Sequence, residues 1–313
     1  MLVGHRIGVI GCGRWGSKHL QALKTIKKDA GIERIVACDI DMNALNAVTG
    51  VELHDDPETL VERFNLNAVI IATPNDTHYK LGLQFLTQGV DVFLEKPLAT
   101  TFEHGSSLVS NSIQEGRILK SGFLLRFHSC VLDAHSRIRS GEIGAIQSIR
   151  YRKKTIREGS PTSHALESLA IHGIDLAEFL LDGQTPLRIS EVVGNRTNTE
   201  LILEYPNQVE VHIDVGWNAI ADQSELKVLG VDGSVVIDLK NHIEYCIVRD
   251  SSIKVTVDSA HAPLEAVLLD FLSGSSASIA ASTGSILRTI KCVEQASLKM
   301  VELGYLDTRE LKR

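Results

Sequence analysis

Three glycines, at positions 11, 13 and 16, directly follow the apolar run Ile7–Ile10 and open a helical stretch with Leu20 and Leu23 on one stripe. This arrangement restricts the fold more than any other feature of the chain. In such a strand–turn–helix the first glycine permits the tight turn and the second lets backbone reach a pyrophosphate. The third lets helix pack on strand. The helix N-terminus then offers unpaired amides and a positive dipole end to the diphosphate. A second apolar run ends in Cys38-Asp39, some twenty residues on. A carboxylate there accepts hydrogen bonds from both adenosine ribose hydroxyls and repels a 2′-phosphate, which favours NAD over NADP. The alternative for Asp39 is a cap on the loop before Asp41. Arg14 is placed to reach a phosphate.

From position 6 to about 122, short β-branched runs at 7–10, 35–38, 51–53, 69–72, 92–95 and 118–125 alternate with segments of helical period. That alternation predicts a doubly wound parallel sheet covered on both faces. Asp56-Pro57 reads as a helix cap followed by a first-turn proline, and Thr100 with Glu103 has capping-box spacing. Beyond Arg126 the pattern changes. Helices are expected at 131–140 and 164–181, and strands at 146–155, 187–193, 199–204, 208–215, 225–229, 235–238, 243–248 and 253–257. Closing helices fall at 263–272 and 285–303, and the Ser/Gly/Ala-rich stretch 273–284 reads as a flexible connection near the cofactor cleft. The expected architecture is α/β: a Rossmann domain over 1–122, then an α+β domain over 123–313 with an open, largely antiparallel sheet. The last helix is available to pack back on the first domain.

A chain of 313 residues suffices for two such domains. Its formal charge of −7 gives no basic face for nucleic acid or an anionic membrane. Five scattered cysteines with no CxxC pair suggest neither a disulfide framework nor a metal site, so a reducing cytoplasm is expected. Neither a signal peptide nor a membrane span is expected.

Ala72-Thr73-Pro74-Asn75 ends the fourth strand beside the point where strand order reverses, so Thr73 and Asn75 are candidates to line the cofactor crevice. A loop-and-cap role fits Asn75 equally. Lys96, in Glu95-Lys96-Pro97, closes the fifth strand; an ammonium there can hydrogen-bond a reacting oxygen, and a solvated lysine on a turn fits the same position. In the second half Ser168, His172 and Asp175 fall at i, i+4 and i+7, with His164 one turn earlier. Histidine suits proton transfer from an alcohol, though a helical histidine is as readily structural. The basic strand 150–157 offers either a cleft for a phosphate or carboxylate on the substrate, or solvated charges guarding an edge.

Taken together these motifs resemble the glucose-fructose oxidoreductase, inositol dehydrogenase and rhizopine-catabolism (Gfo/Idh/MocA) family. The resemblance runs through Gly11-Cys12-Gly13-Arg14-Trp15-Gly16, Asp39, Ala72-Thr73-Pro74-Asn75 with His78, Glu95-Lys96-Pro97, Gly122-Phe123 to Arg126-Phe127, Ser140 to Gly144, and Ile171-His172-Gly173-Ile174-Asp175. It implies cofactor contacts from Trp15, His78 and Glu95 as well as the residues above. It further implies Lys96 between nicotinamide and substrate, His172 as acid/base, and Arg126, Ser168 and Asp175 on the substrate side. The implied substrates are secondary alcohols or ketones of sugars, inositols or nucleotide-linked sugars. The implied assembly is a homodimer or homotetramer through the open sheet. One position departs from the family: Ser168 stands where many members carry Asp, so the carboxylate that would orient the imidazole is missing, with Glu167 or Asp175 as substitutes. A non-catalytic nucleotide- or sugar-sensing protein is the competing reading.

Overall fold

The computed structural model describes residues 4–159, 163–274 and 282–308, which form two compact units. The first holds six strands: β1 (His5–Ile10), β2 (Ile32–Cys38), β3 (Glu52–His54), β4 (Ala68–Ile71), β5 (Asp91–Leu94) and β6 (Leu119–Ser121). All pair in parallel in the order β3-β2-β1-β4-β5-β6, so the order reverses between β1 and β4. Helices α1 (Arg14–Thr25), α2 (Met42–Asn46), α3 (Leu60–Phe64), α4 (His78–Thr87) and α5 (Phe102–Gln114) supply the crossovers. Consecutive residues of β4 and β5, Val69–Ile71 and Val92–Leu94, are buried without alternation, as a sheet covered on both faces requires. Each such side chain contributes roughly 1.5–3 kcal/mol by leaving water.

Three local expectations change. β6 stops at Ser121 and the apolar run beyond it forms a 3-10 turn at Leu124–Phe127, because a continuous apolar run does not reveal its own period. Asp56 caps a turn rather than a helix: its Oδ1 accepts from the Glu58 amide and its Oδ2 from the Thr59 hydroxyl, and α3 begins at Leu60. The cap of α5 is Thr101, whose side chain accepts from the His104 amide, and not Thr100.

In the second unit α6 (Ser129–Arg139) leads to β7 (Ile146–Lys154), and a π-helical turn (Leu166–Ala170) runs into α7 (Ile171–Leu180). Strands β8 (Arg188–Gly194), β9 (Asn198–Glu204), β10 (Glu210–Gly216), β11 (Gln223–Gly230), β12 (Ser234–Asp238), β13 (Glu244–Val248) and β14 (Ser252–Thr256) complete an eight-stranded sheet, ordered β14-β13-β12-β11-β7-β10-β9-β8. It is antiparallel apart from the β7–β10 pair. Gly173 lets α7 lie close on that pair: a Cβ there would sit 2.6 Å from the Tyr151 ring and 3.1 Å from Ile213.

Helix α8 (Pro263–Ser273) and the start of α9 (Thr283–Glu302) return to the first unit, which includes Leu264–Leu287. Phe271 meets Phe93 at a ring-centroid distance of 5.6 Å, and Asp270 pairs with Lys120. The remainder of α9 belongs to the second unit, where Arg288 pairs with the buried Glu178. Most of the expected flexible connection, 275–281, lies outside the described residues.

Candidate active site

The loop after β1 is built as its three glycines predict. Gly11 has a φ of +89° and would place a Cβ 2.7 Å from the Ala72 carbonyl oxygen, so the loop after β1 lies directly on the end of β4. A Cβ on Gly16 would meet the Gly11 oxygen at 1.7 Å, whereas one on Gly13 has nothing within 4 Å. Gly13 is therefore glycine for the sake of something other than the fold. It precedes α1, whose start no side chain caps, and a helix N-terminus favours an anionic ligand. Asp39 lies beside this loop, its Oδ2 accepting from the Cys12 amide at 2.6 Å and its Oδ1 from the Asp41 amide at 2.9 Å. Each oxygen keeps a lone pair for a hydroxyl donor. Open space at Gly13, a helix start with no side-chain cap and an adjacent carboxylate together fit a dinucleotide. Arg14 is exposed, with its guanidinium 5.4 Å from the centroid of the Trp15 ring.

Across the switch point, Thr73 Oγ1 lies 2.6 Å from Thr77 Oγ1, and Asn75 opens a short 3-10 turn through Thr77. His78, expected among the cofactor contacts, is the first residue of α4 and has no exposed surface. Its Nδ1 lies 2.7 Å from the Pro97 carbonyl oxygen and its Nε2 3.0 Å from that of Thr73.

At the end of β5 the three residues Glu95-Lys96-Pro97 turn away from the sheet. Glu95 is buried and its Oε1 lies 2.7 Å from His19 Nε2, while Oε2 accepts from the Lys96 amide at 3.1 Å. Burial opposes the Glu95 charge, but the bond to His19, its charge and the neighbouring Lys96 more than offset it, holding the carboxyl below the ordinary glutamate range. Glu95 is thus an anchor under Lys96. Lys96 is half-buried at the carboxyl edge of the sheet. Sequence reasoning missed His19, although its phase relative to Gly16 and Leu23 sets it on the buried stripe of α1, where a polar side chain needs a buried partner.

In the second unit α7 carries a half-buried His172. The expected single helix over 164–181 is interrupted: the Ile171 amide reaches back five residues to the Leu166 carbonyl, a wide turn that shifts the phase of everything before it. Ser168 therefore does not share a simple i, i+4, i+7 stripe with His172 and Asp175. Asp175 is 1% exposed and binds Arg126, itself 6% exposed. Around the start of the wide turn a polar cluster forms. Ser163 Oγ lies 2.6 Å from Ser168 Oγ and donates to Glu167 Oε2 at 3.2 Å, and His164 Nε2 lies 3.3 Å from Glu167 Oε1. Ser163 carried no motif signal; the wide turn that brings it to Ser168 is invisible to helical periodicity.

The basic strand β7 is largely answered within its own sheet, with Arg152 and Lys154 both on Asp214 of β10 and Lys153 donating to Ser224 of β11. Burial pushes the Cys12 and Cys38 thiols up to about 11 and about 12, so neither is a ready nucleophile. Among the described residues no group of three or more His, Cys, Asp or Glu is placed to hold a metal, and no helix is long and apolar enough to cross a membrane.

Residues 5–123 match the family model described as an oxidoreductase family with an NAD-binding Rossmann fold (GFO/IDH/MocA), and residues 131–236 match the GFO/IDH/MocA C-terminal domain. The chain belongs to the GFO/IDH/MocA oxidoreductase family. Its relatives include inositol 2-dehydrogenase 2 of Saccharopolyspora erythraea, 30% identical over 68% of this chain and 67% of that protein. The scyllo-inositol 2-dehydrogenase (NAD(+)) of Bacillus subtilis is 27% identical over 76% of this chain and 75% of that protein. The crystal structure of myo-inositol 2-dehydrogenase from Lactobacillus plantarum superposes with a TM-score of 0.79 at 20% identity, covering 96% and 98% of the two chains, and so shares the fold. As a member of the GFO/IDH/MocA family this chain is an NAD-dependent oxidoreductase.

Proposed function

We propose that the chain oxidises a secondary alcohol of an inositol-like polyol or sugar, or reduces the matching ketone, with NAD as redox partner. The observation that carries this reading is the anchoring of Lys96 at the carboxyl edge of the Rossmann sheet, with its amide fixed by a buried, ionised Glu95 that is itself fixed by His19. A structural lysine on a turn needs no such foundation. The inositol dehydrogenases among its relatives support that substrate class.

The residues that would hold NAD are Gly11, Gly13 and Gly16 with the first amides of α1, Asp39, and the Thr73–Asn75 loop, aided by Arg14 and Trp15. When bound, NAD supplies the acceptor for the hydride leaving the substrate carbon. The Lys96 ammonium hydrogen-bonds the substrate oxygen and stabilises the negative charge that grows there. His172 takes the hydroxyl proton during oxidation and returns it during reduction. With Asp175 committed to Arg126, the remaining carboxylate for this relay is Glu167. Ser163 links it to Ser168, one turn before His172. We further assign residues 123–313 to substrate binding and to assembly as a homodimer or homotetramer through the open sheet, in a cytoplasmic enzyme. Every other residue of β11 faces outward, as that use of the sheet requires.

The test is a panel of inositols, sugars and nucleotide-linked sugars incubated with NAD+ or, for ketones, NADH. Lys96→Met should lower kcat on the order of a hundredfold while leaving the NADH affinity, read by fluorescence, unchanged. Full turnover by that variant would remove Lys96 from the reaction. Tight NADH binding with no turnover across the panel would instead identify a sensing protein.

A further inference from the structure

Lys96 is fixed from one side through its own amide. Its other neighbour, Pro97, has its carbonyl oxygen 2.7 Å from His78 Nδ1, inside a region with no solvent. The opposite ring nitrogen faces the Thr73 carbonyl, at the start of the loop after β4. One buried imidazole thus spans the two loops that leave β4 and β5 at their carboxyl ends.

An apolar residue at position 78 would offer neither buried carbonyl a donor. The imidazole also imposes a choice. Burial pushes its pKa below the ordinary histidine value, against the pull of the two carbonyls and Glu95, and Lys96 adds to the downward push. The ring is therefore neutral at neutral pH and carries one N–H. The shorter contact, at Pro97, is served when that proton sits on Nδ1.

We propose that His78 is a positioning residue for Lys96: its Nδ1–H holds the Pro97 carbonyl and thereby fixes the backbone from which the Lys96 side chain departs. The proposal rests on the assignment of Lys96 to the reaction. With Glu95 holding the amide of Lys96 and His78 the carbonyl of Pro97, the lysine backbone is tied on both sides by buried groups. Its ammonium then starts from one place, and a small displacement of a reacting group is costly in rate.

Two amide side chains separate the contacts. Asparagine places its donor nitrogen where Nδ1 sits, and glutamine where Nε2 sits. With the polyol that the parent enzyme oxidises, His78→Asn should keep kcat within about threefold, and His78→Gln should lose about tenfold or more while its KM for NAD stays within about twofold. In the Lys96→Met background His78→Gln should add no further loss, because it acts through the lysine. Equal losses for Asn and Gln, or an undiminished loss in the Lys96→Met background, would overturn the proposal. A parental turnover in Lys96→Met defeats the underlying reading instead, and the two failures are distinguishable. NADH fluorescence titration corrects each rate for the folded fraction. Nitrogen NMR of the parent enzyme tests the contact without any substrate or variant: a His78 ring proton on Nδ1, protected from exchange, is expected, and a ring protonated on Nε2 alone refutes it.

Discussion

The Arg126 guanidinium sets its Nε 2.9 and 3.0 Å from the two carboxylate oxygens of Asp175 and its Nη2 2.7 Å from Oδ1. Arg126 also lies over the Phe179 ring, 5.4 Å from its centroid. Both charged groups are inside the second unit, so the pair locks the 3-10 turn before α6 onto α7, the helix that carries His172.

Breaking this pair should be costly because the survivor is left charged and buried. Arg126→Met or Asp175→Asn should each lower stability by about 3–5 kcal/mol, and the double replacement Arg126→Met/Asp175→Leu by much less. The pH dependence has a definite sign. Burial pushes the Asp175 carboxyl up to about 6, against the pull of Arg126, from an unfolded value near 3.8. Between those values the folded state keeps a proton that the unfolded state has released, so this residue's contribution to stability falls as pH rises from 3.8 to 6. Urea titrations of parent and Asp175→Asn across that range should show their difference in stability changing in that direction.

The second and third glycines of the dinucleotide loop should respond oppositely to a single methyl group. Gly13→Ala points into open space and should leave the melting temperature within a few degrees while weakening NADH binding about tenfold or more, since the methyl occupies the diphosphate's approach. Gly16→Ala drives a Cβ into the Gly11 oxygen and should cost folded protein before it costs affinity. Thermal melts beside fluorescence titrations separate the two cases.

Asp39 binds the Cys12 amide at 2.6 Å, which aims its carboxylate along the glycine loop. Asp39→Ser removes the charge that repels a 2′-phosphate, so the ratio of NAD to NADP affinity should fall at least about tenfold, mostly through loss of NAD binding. An unchanged ratio would show that discrimination lies elsewhere.

Ser163 links Glu167 to Ser168. If that chain supports proton transfer at His172, Glu167→Gln and Ser163→Ala should each lower kcat on the order of tenfold with NADH affinity intact. Combining them should add little, because they interrupt the same chain. Additive losses would mean that the cluster only stabilises the wide turn.

The periodicity of the first half was enough to predict β1, β2, β4 and β5 and their helices, because a strand buried on both faces has to be written as an unbroken apolar run and a dinucleotide loop as spaced glycines. Asp39 directly follows β2 and Lys96 lies two residues past the end of β5, so chain position alone sets each at the carboxyl edge. Strand ends and caps were harder to place, as Thr101 and the early stop of β6 show, since neighbouring hydroxyls or apolar residues compete for one position and packing selects among them.

Spacing along an assumed regular helix put Ser168, His172 and Asp175 on one face. The folded chain widened one turn and gave Asp175 to Arg126, 49 residues away. His19 under Glu95 and His78 under Pro97 likewise pair residues 76 and 19 positions apart. A sequence thus determines what its local periods and turn chemistry can encode: strand order units, the nucleotide loop, and the residue types at the sheet edge. Which buried polar groups satisfy one another is decided only when distant segments close together. A donor inside the protein takes whichever acceptor the packing brings within reach, and that choice has no local signature.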